Sequence, residues 1–212
     1  MARAAAYDAI LGATEPVEGR PFADPDRTHA DAAVMRAMLA REREDARTWT
    51  ASRASAISLR ADGARGERRQ YLAVPDKDAL LGARDVTAVG FFGQTRSCDH
   101  GVLFELEHEV ASAFPHYASA GLLSYFDVEL DDGSYGFGNL ILFWTPEVPP
   151  EWFSNAAHER AVSIAPEHYH SIRLHRGTIP GPFLGDGELE IDRTKYFDFD
   201  SDPVWRGLRL FA

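Results

Sequence analysis

Between residues 87 and 177 the spacing of apolar side chains alternates between the period of a strand and that of a helix. TAVGFFGQT (87–95) reads as an apolar strand, and LFELEHEVASAF (103–114) then places Leu103, Leu106, Val110 and Phe114 at helical intervals. GLLSYFDVEL (121–130) and YGFGNLILFWT (135–145) read as two strands joined by Asp131, Asp132, Gly133 and Ser134, the composition of a tight hairpin turn. Pro149 and Pro150 end the second of these. WFSNAAHERAVSIA follows as a helix with a small-residue stripe of Phe153, Ala157, Ala161 and Ile164. HSIRLHRG (170–177) is a final strand. The order predicts an α+β protein with a ferredoxin-like βαββαβ core, an antiparallel sheet with both helices on one face.

The flanks read as additions to this unit. Residues 1–27 are rich in Pro and Gly and predict a loop that wraps over something else. From Thr28 to about Thr50 a helix is expected, its apolar side carrying Ala30, Ala33, Val34, Ala37 and Met38, with Thr28 or Asp31 as its cap. The charged run RERED (41–45) reads as its hydrated face. AISLR (56–60) and QYLAV (70–74) predict a hairpin across a turn-rich connection. ELEIDRTKYFDF (188–199) and WRGLRLF (205–211) extend the chain beyond the core. The division that follows is an N-terminal extension over 1–80, a core over 81–180 and a C-terminal extension over 181–212.

One strand sets a condition on the whole arrangement. LILFW is apolar at every position, so both faces of its sheet must be covered, whereas the two core helices cover only one. A second layer is therefore required.

The order of elements over about residues 87–177 resembles the dimeric α+β barrel superfamily, which includes antibiotic-biosynthesis monooxygenase-like, stress-response, muconolactone isomerase and haem-binding chlorite dismutase-like proteins. In that superfamily two sheets, from two protomers or two repeats, face each other around a cavity. The resemblance covers under half of the chain and is one of topology. It implies a homodimer, a small and aromatic or polyketide-like substrate of bacterial metabolism, and cofactor-independent oxygenation, isomerisation or cyclisation. A haem-dependent oxidoreductase or lyase and a non-catalytic binding protein are the alternatives.

Composition narrows the field. A formal net charge of −11 opposes binding to nucleic acid, because no basic stripe offsets the phosphate repulsion. Cys98 is the only cysteine, which excludes an intrachain disulfide and a CxxC zinc site and suits a reducing compartment. No apolar run approaches the roughly 20 residues of a membrane span, and the start lacks a secretory pattern, so the expected location is cytoplasmic. GxxxxGK[ST], HExxH and GxSxG are all absent from the sequence, and the readings they carry lose their main support.

The candidate chemistry lies on the strands. In the last core strand Ile172 and Leu174 face one way and Ser171, Arg173 and His175 the other. If the apolar pair meets the helices, Arg173 supplies fixed charge in the cavity and His175 exchanges a proton near neutral pH. Tyr125 and Asp127 share one face of their strand, and a buried Asp127 would find a partner in Arg173. Asn139 lies with Phe137 and Ile141, while Phe91, Phe143 and Gln94 complete a substrate-binding set. The loop QTRSCDHG also places Arg96, Asp99 and His100 where they can close one mouth of a barrel. His158 and His170 are the ligands to test if haem is present. His168, His175 and Glu167 extend a set of possible metal ligands without diagnostic spacing, and no metal is assigned. Glu105, Glu107, His108 and Glu109 read as a hydrated helix face.

Overall fold

The computed structural model describes residues 7–49, 55–61, 70–96, 101–130, 136–148, 150 and 156–211. The hairpin turn 131–134, the start of the second core helix at 152–155, and Cys98, Asp99 and His100 lie outside the described residues. Five α-helices and nine strands are described. The helices are α1 (Pro25–Trp49), α2 (Lys77–Gly82), α3 (Gly101–Ser112), α4 (Phe114–Ala118) and α5 (Ala156–His168). The strands are β1 (Ala9–Leu11), β2 (Ile57–Ala61), β3 (Gln70–Val74), β4 (Arg84–Thr95), β5 (Leu122–Leu130), β6 (Gly136–Phe143), β7 (Tyr169–Pro182), β8 (Glu190–Asp198) and β9 (Trp205–Leu210).

All nine strands form one sheet in the order β1-β9-β8-β7-β4-β6-β5-β3-β2, antiparallel except where β1 runs parallel to β9. Both flanking regions therefore join the core by strand pairing. The N-terminal hairpin pairs through β3 with β5, and the C-terminal strands pair through β8 with β7. The sheet is open, with β1 and β2 at its two ends, and the barrel expected from the sequence is not formed within the chain.

The reason is α1. Pro25 stands at its start, Asp26 lies in its first turn and Arg47 in its last, a polarity that suits the helix dipole, and the Ala-rich interior favours a long helix. The helix lies across the face of the sheet that a barrel would turn inward. Met35, Met38, Leu39, Ala46 and Trp49 pack there in one cluster with Leu72, Val86, Ala88, Phe92, Phe126, Leu140 and Leu142. Gly90 allows the close approach, since a Cβ on it would stand 2.5 Å from the Met35 sulfur. The second layer required by LILFW is thus supplied by the chain's own N-terminal helix.

The face of α1 that makes this contact differs from the expected one. Ala30, Ala33 and Ala37 are exposed and Val34 is half-buried, whereas Thr28, Asp31, Ala32, Met35, Met38, Leu39, Glu42, Ala46 and Trp49 are buried. Because the helix begins at Pro25, Thr28 and Asp31 sit inside it and are not caps. Glu42, assigned from sequence to the hydrated face, is 0% exposed.

The other face carries two further clusters. Phe114, Tyr117, Leu122, Tyr125, Ile141 and Phe143 form one beneath α3 and α4. Ala165, Tyr169 and Ile172 form the other with Phe91, Leu103, Phe137 and Leu174. Gly93 leaves room for the Tyr169 ring, which would lie 2.4 Å from a Cβ at that position. No described helix is long and apolar enough to cross a membrane.

Candidate functional site

Strand register divides the expected site into two. Across the sheet Arg173 is opposite Phe92, Phe92 opposite Gly138, and Gly138 opposite Val128; paired residues share a face, and this row meets α1. The adjacent row runs Leu174, Phe91, Asn139, Asp127 and Tyr71, on the face of α3 and α5. Arg173 and His175, together with Ser171 and Gln94, therefore lie on one side. Tyr125, Asp127, Asn139, Phe91, Phe137 and Phe143 lie on the other. The expected pairing of Asp127 with Arg173 is excluded, because the sheet itself separates them. Alternation along each strand was legible in the sequence, but register between strands was not.

On the α1 side the polar groups form a closed network. Arg173 is 8% exposed and His175 1%. Arg173 donates from Nε to Asp31 Oδ2 at 2.5 Å and from an η nitrogen to Asp31 Oδ1 at 3.0 Å, a two-point guanidinium–carboxylate pair. His175 Nε2 lies 2.9 Å from Asp31 Oδ2, and its Nδ1 lies 2.8 Å from the Thr194 hydroxyl. Burial holds the His175 pKa below its ordinary value despite the Asp31 charge. A neutral imidazole that donates from Nε2 to Asp31 and accepts at Nδ1 from Thr194 satisfies every group. Burial raises the Asp31 pKa, but the hydrogen bonds from His175 and Arg173 and the Arg173 charge outweigh it and hold the carboxyl low.

The arrangement continues into β8 and β9. Thr28 and Tyr196 share a 2.8 Å hydrogen bond, and Arg209 Nε donates to Tyr196 at 2.9 Å. Arg209 also donates to the carbonyls of Gly12 and Ala23, each at 2.6 Å, so the N-terminal segment is tied down by a fully buried guanidinium. These side chains bind one another, and the space expected to be a cavity is occupied by α1. Their chemistry is that of an anchor for the helix. Asp31 was weighed from sequence only as a cap, and the signal that reveals its role is its spacing with Thr28, Met35, Met38 and Glu42 along one helix face.

On the α3 and α5 side, Asp127 and Tyr125 are buried, while Asn139, Phe91, Phe137 and Tyr71 keep partial exposure. Asn139 accepts from the Phe91 backbone N–H at 3.2 Å, and its amide donates to the Tyr125 hydroxyl at 3.4 Å. The Tyr125 ring lies 4.8 Å from that of Phe114. A carboxylate and a carboxamide in one row, with a phenol from the next row, are thus held on one sheet face bordered by aromatic rings. Phe143 is 1% exposed and belongs to the core. Gln94, on the opposite face, lies 3.5 Å from the Ser171 hydroxyl.

The histidines separate in the same way. His158 sits half-buried on α5, and burial lowers its pKa. His170 Nδ1 lies 2.8 Å from Asp200, whose other oxygen pairs with Arg96 at 2.7 Å, at the junction of β7 and the end of β8. Arg96 thus joins a surface ion pair with Asp200. Slight burial raises the Asp200 pKa, and the bonds from His170 and Arg96 outweigh it and bring the group low. Glu109 pairs with Arg160 at 3.4 Å between exposed faces of α3 and α5, as expected of a hydrated surface. Among the described residues no group of three His, Cys, Asp or Glu is placed to hold a metal ion.

Comparison with protein-family models, curated proteins and solved structures finds no match to this chain.

Proposed function

We propose that the protein is a small-molecule enzyme built on a ferredoxin-like unit, with its ligand taken up between the helix pair α3/α5 and the sheet. The strand order β7-β4-β6-β5, antiparallel throughout and with helices in both long connections, supports the ferredoxin-like assignment. The likeness to dimeric α+β barrels then concerns topology, because α1 occupies the surface on which those proteins build a shared cavity. With that surface covered, an exposed sheet face no longer supplies a reason for a dimer.

The observation that carries the reading is the cluster of Asp127, Asn139 and Tyr125 on one sheet face among aromatic side chains that keep partial exposure. Apolar walls with a few convergent polar groups are the usual form of a small-molecule site. In this reading Asp127 takes a proton from carbon next to a carbonyl, and Tyr125 and Asn139 orient the oxygen on which charge develops. Isomerisation or cyclisation of a flat, apolar ligand fits this set. Arg173 and His175 are assigned to holding α1 in place.

A native mass spectrum of the purified protein, with an absorption scan, tests the proposal. A retained organic ligand is expected, and Asp127→Asn and Asn139→Leu are expected to lose turnover or retention at least tenfold without loss of fold. Equal retention and turnover in both folded variants would sink the assignment. A Soret band in the scan would instead favour haem and make His158 the first ligand to replace.

A further inference from the structure

Glu42 and Ser124 present a second feature, unrelated to the ligand cluster. Glu42 is on the inner face of α1 and Ser124 is on β5, in the strand row that faces that helix. Both are 0% exposed. The Ser124 hydroxyl neighbours the Glu42 carboxyl, but neither it nor either Glu42 oxygen has a hydrogen bond of good geometry with any described residue. An unpartnered carboxylate in such a place is costly when ionised and far less so when protonated.

Among the described residues no cation forms an ion pair with Glu42, and the Arg43 charge, which does act on it, is outweighed by burial. On the sheet, the residues facing α1 near Ser124 are Leu72, Phe126, Ala88, Leu140 and Leu142, none of which titrates. From β7, Arg173 and His175 are both bound to Asp31, about three helical turns away along α1. From α2, Lys77 Nζ lies 3.4 Å from the Trp49 carbonyl. On α1 itself, Arg43 donates to the carbonyls of Phe183 and Gly187 at 2.6 and 2.9 Å, and Asp45 is paired with Arg41.

We propose that Glu42 is a proton-operated latch: with its carboxyl protonated the C-terminal half of α1 lies tight on β5 and β6, and with it ionised that half loosens while the Asp31 end stays docked. Burial, opposed by Ser124 and Arg43, pushes the Glu42 carboxyl from 4.5 up to about 7, within the range where a cell or compartment changes pH. The sign follows from linkage. The closed form holds the proton and the open form has lost it between 4.5 and about 7, so closure is strongest below that interval and weakens as pH rises through it.

Hydrogen exchange along α1, corrected for intrinsic rates and measured on the full chain at pH 5 and pH 7, tests the latch. Opening of the amides over 42–49 is expected to increase on the order of tens-fold between these values, with little change over 32–38. Glu42→Gln is expected to abolish the increase, and Glu42→Leu, which removes both charge and polar group, serves the same purpose if the amide is poorly accommodated. An unchanged pH response in a folded variant, or an increase spread evenly over the whole helix, would overturn the proposal. Failure of both variants to fold at pH 7 would overturn it too, since it would mean that the carboxylate itself is required.

Discussion

Helix α1 carries two buried carboxylates on one face, and their surroundings are opposite. Asp31 accepts two bonds from Arg173 and lies within bonding distance of His175, so its charge is neutralised where it stands. Glu42 lies in the same layer against an apolar sheet, and its oxygens lack partners among the described residues. One carboxyl is held below its ordinary pKa and the other is pushed up to about 7. Depth of burial is similar in the two places, and the difference comes from whether a cation was placed within reach. The first acid fixes the helix and the second makes its docking depend on pH.

The comparison breaks most severely at Asp31. Asp31→Ala leaves the Arg173 charge buried without its partner and is expected to cost about 3–5 kcal/mol, a large part of an ordinary domain's stability. Urea unfolding at pH 7 measures it. Replacing Asp31 and Arg173 together by Leu and Met is expected to recover most of the loss, because no charge is then stranded. Recovery of none would mean that the pair specifies the helix position beyond neutralising itself.

The effect at Glu42 has the opposite sign. Glu42→Leu is expected to stabilise the protein by about 3 kcal/mol at pH 8, the equivalent of the rise from 4.5 to about 7. The part of this gain due to ionisation is largely gone at pH 4.5 and disappears below it, as the acid becomes protonated in both states. Stability curves for the two proteins at pH 4.5 and pH 8 give the comparison directly, and a gain of the same size at both values would show that packing alone is responsible.

A smaller effect is expected where the helix comes closest to the sheet. Gly90→Ala would place a methyl 2.5 Å from the Met35 sulfur, at the flexible end of a long side chain that can turn aside. A cost of about 1 kcal/mol is expected, largely relieved in combination with Met35→Leu. Thermal unfolding of the single and double variants measures it, and additive losses would place the strain elsewhere.

Much of the fold was legible in local pattern. The alternation around Ile172 and Leu174 correctly sends Arg173 and His175 to the face away from the helix pair, and the wholly apolar LILFW correctly demands a second layer. The short strand β1 was hidden in a loop-like segment because three residues carry too little periodicity to register. Along α1 the many alanines made one side look apolar while the buried side held Asp31 and Glu42, so composition misled where contacts decided.

The sequence by itself determined most of the longer strands and helices and which side chains alternate along them, because those properties depend on neighbours a few residues apart, while the short α2, α4 and β1 escaped it. Tertiary structure alone decided that the N-terminal helix covers the sheet, that Asp127 and Arg173 stand on opposite sides, and which buried acid meets a cation. Those outcomes depend on strand register and helix placement, and a shift of one residue in register carries every side chain to the other face.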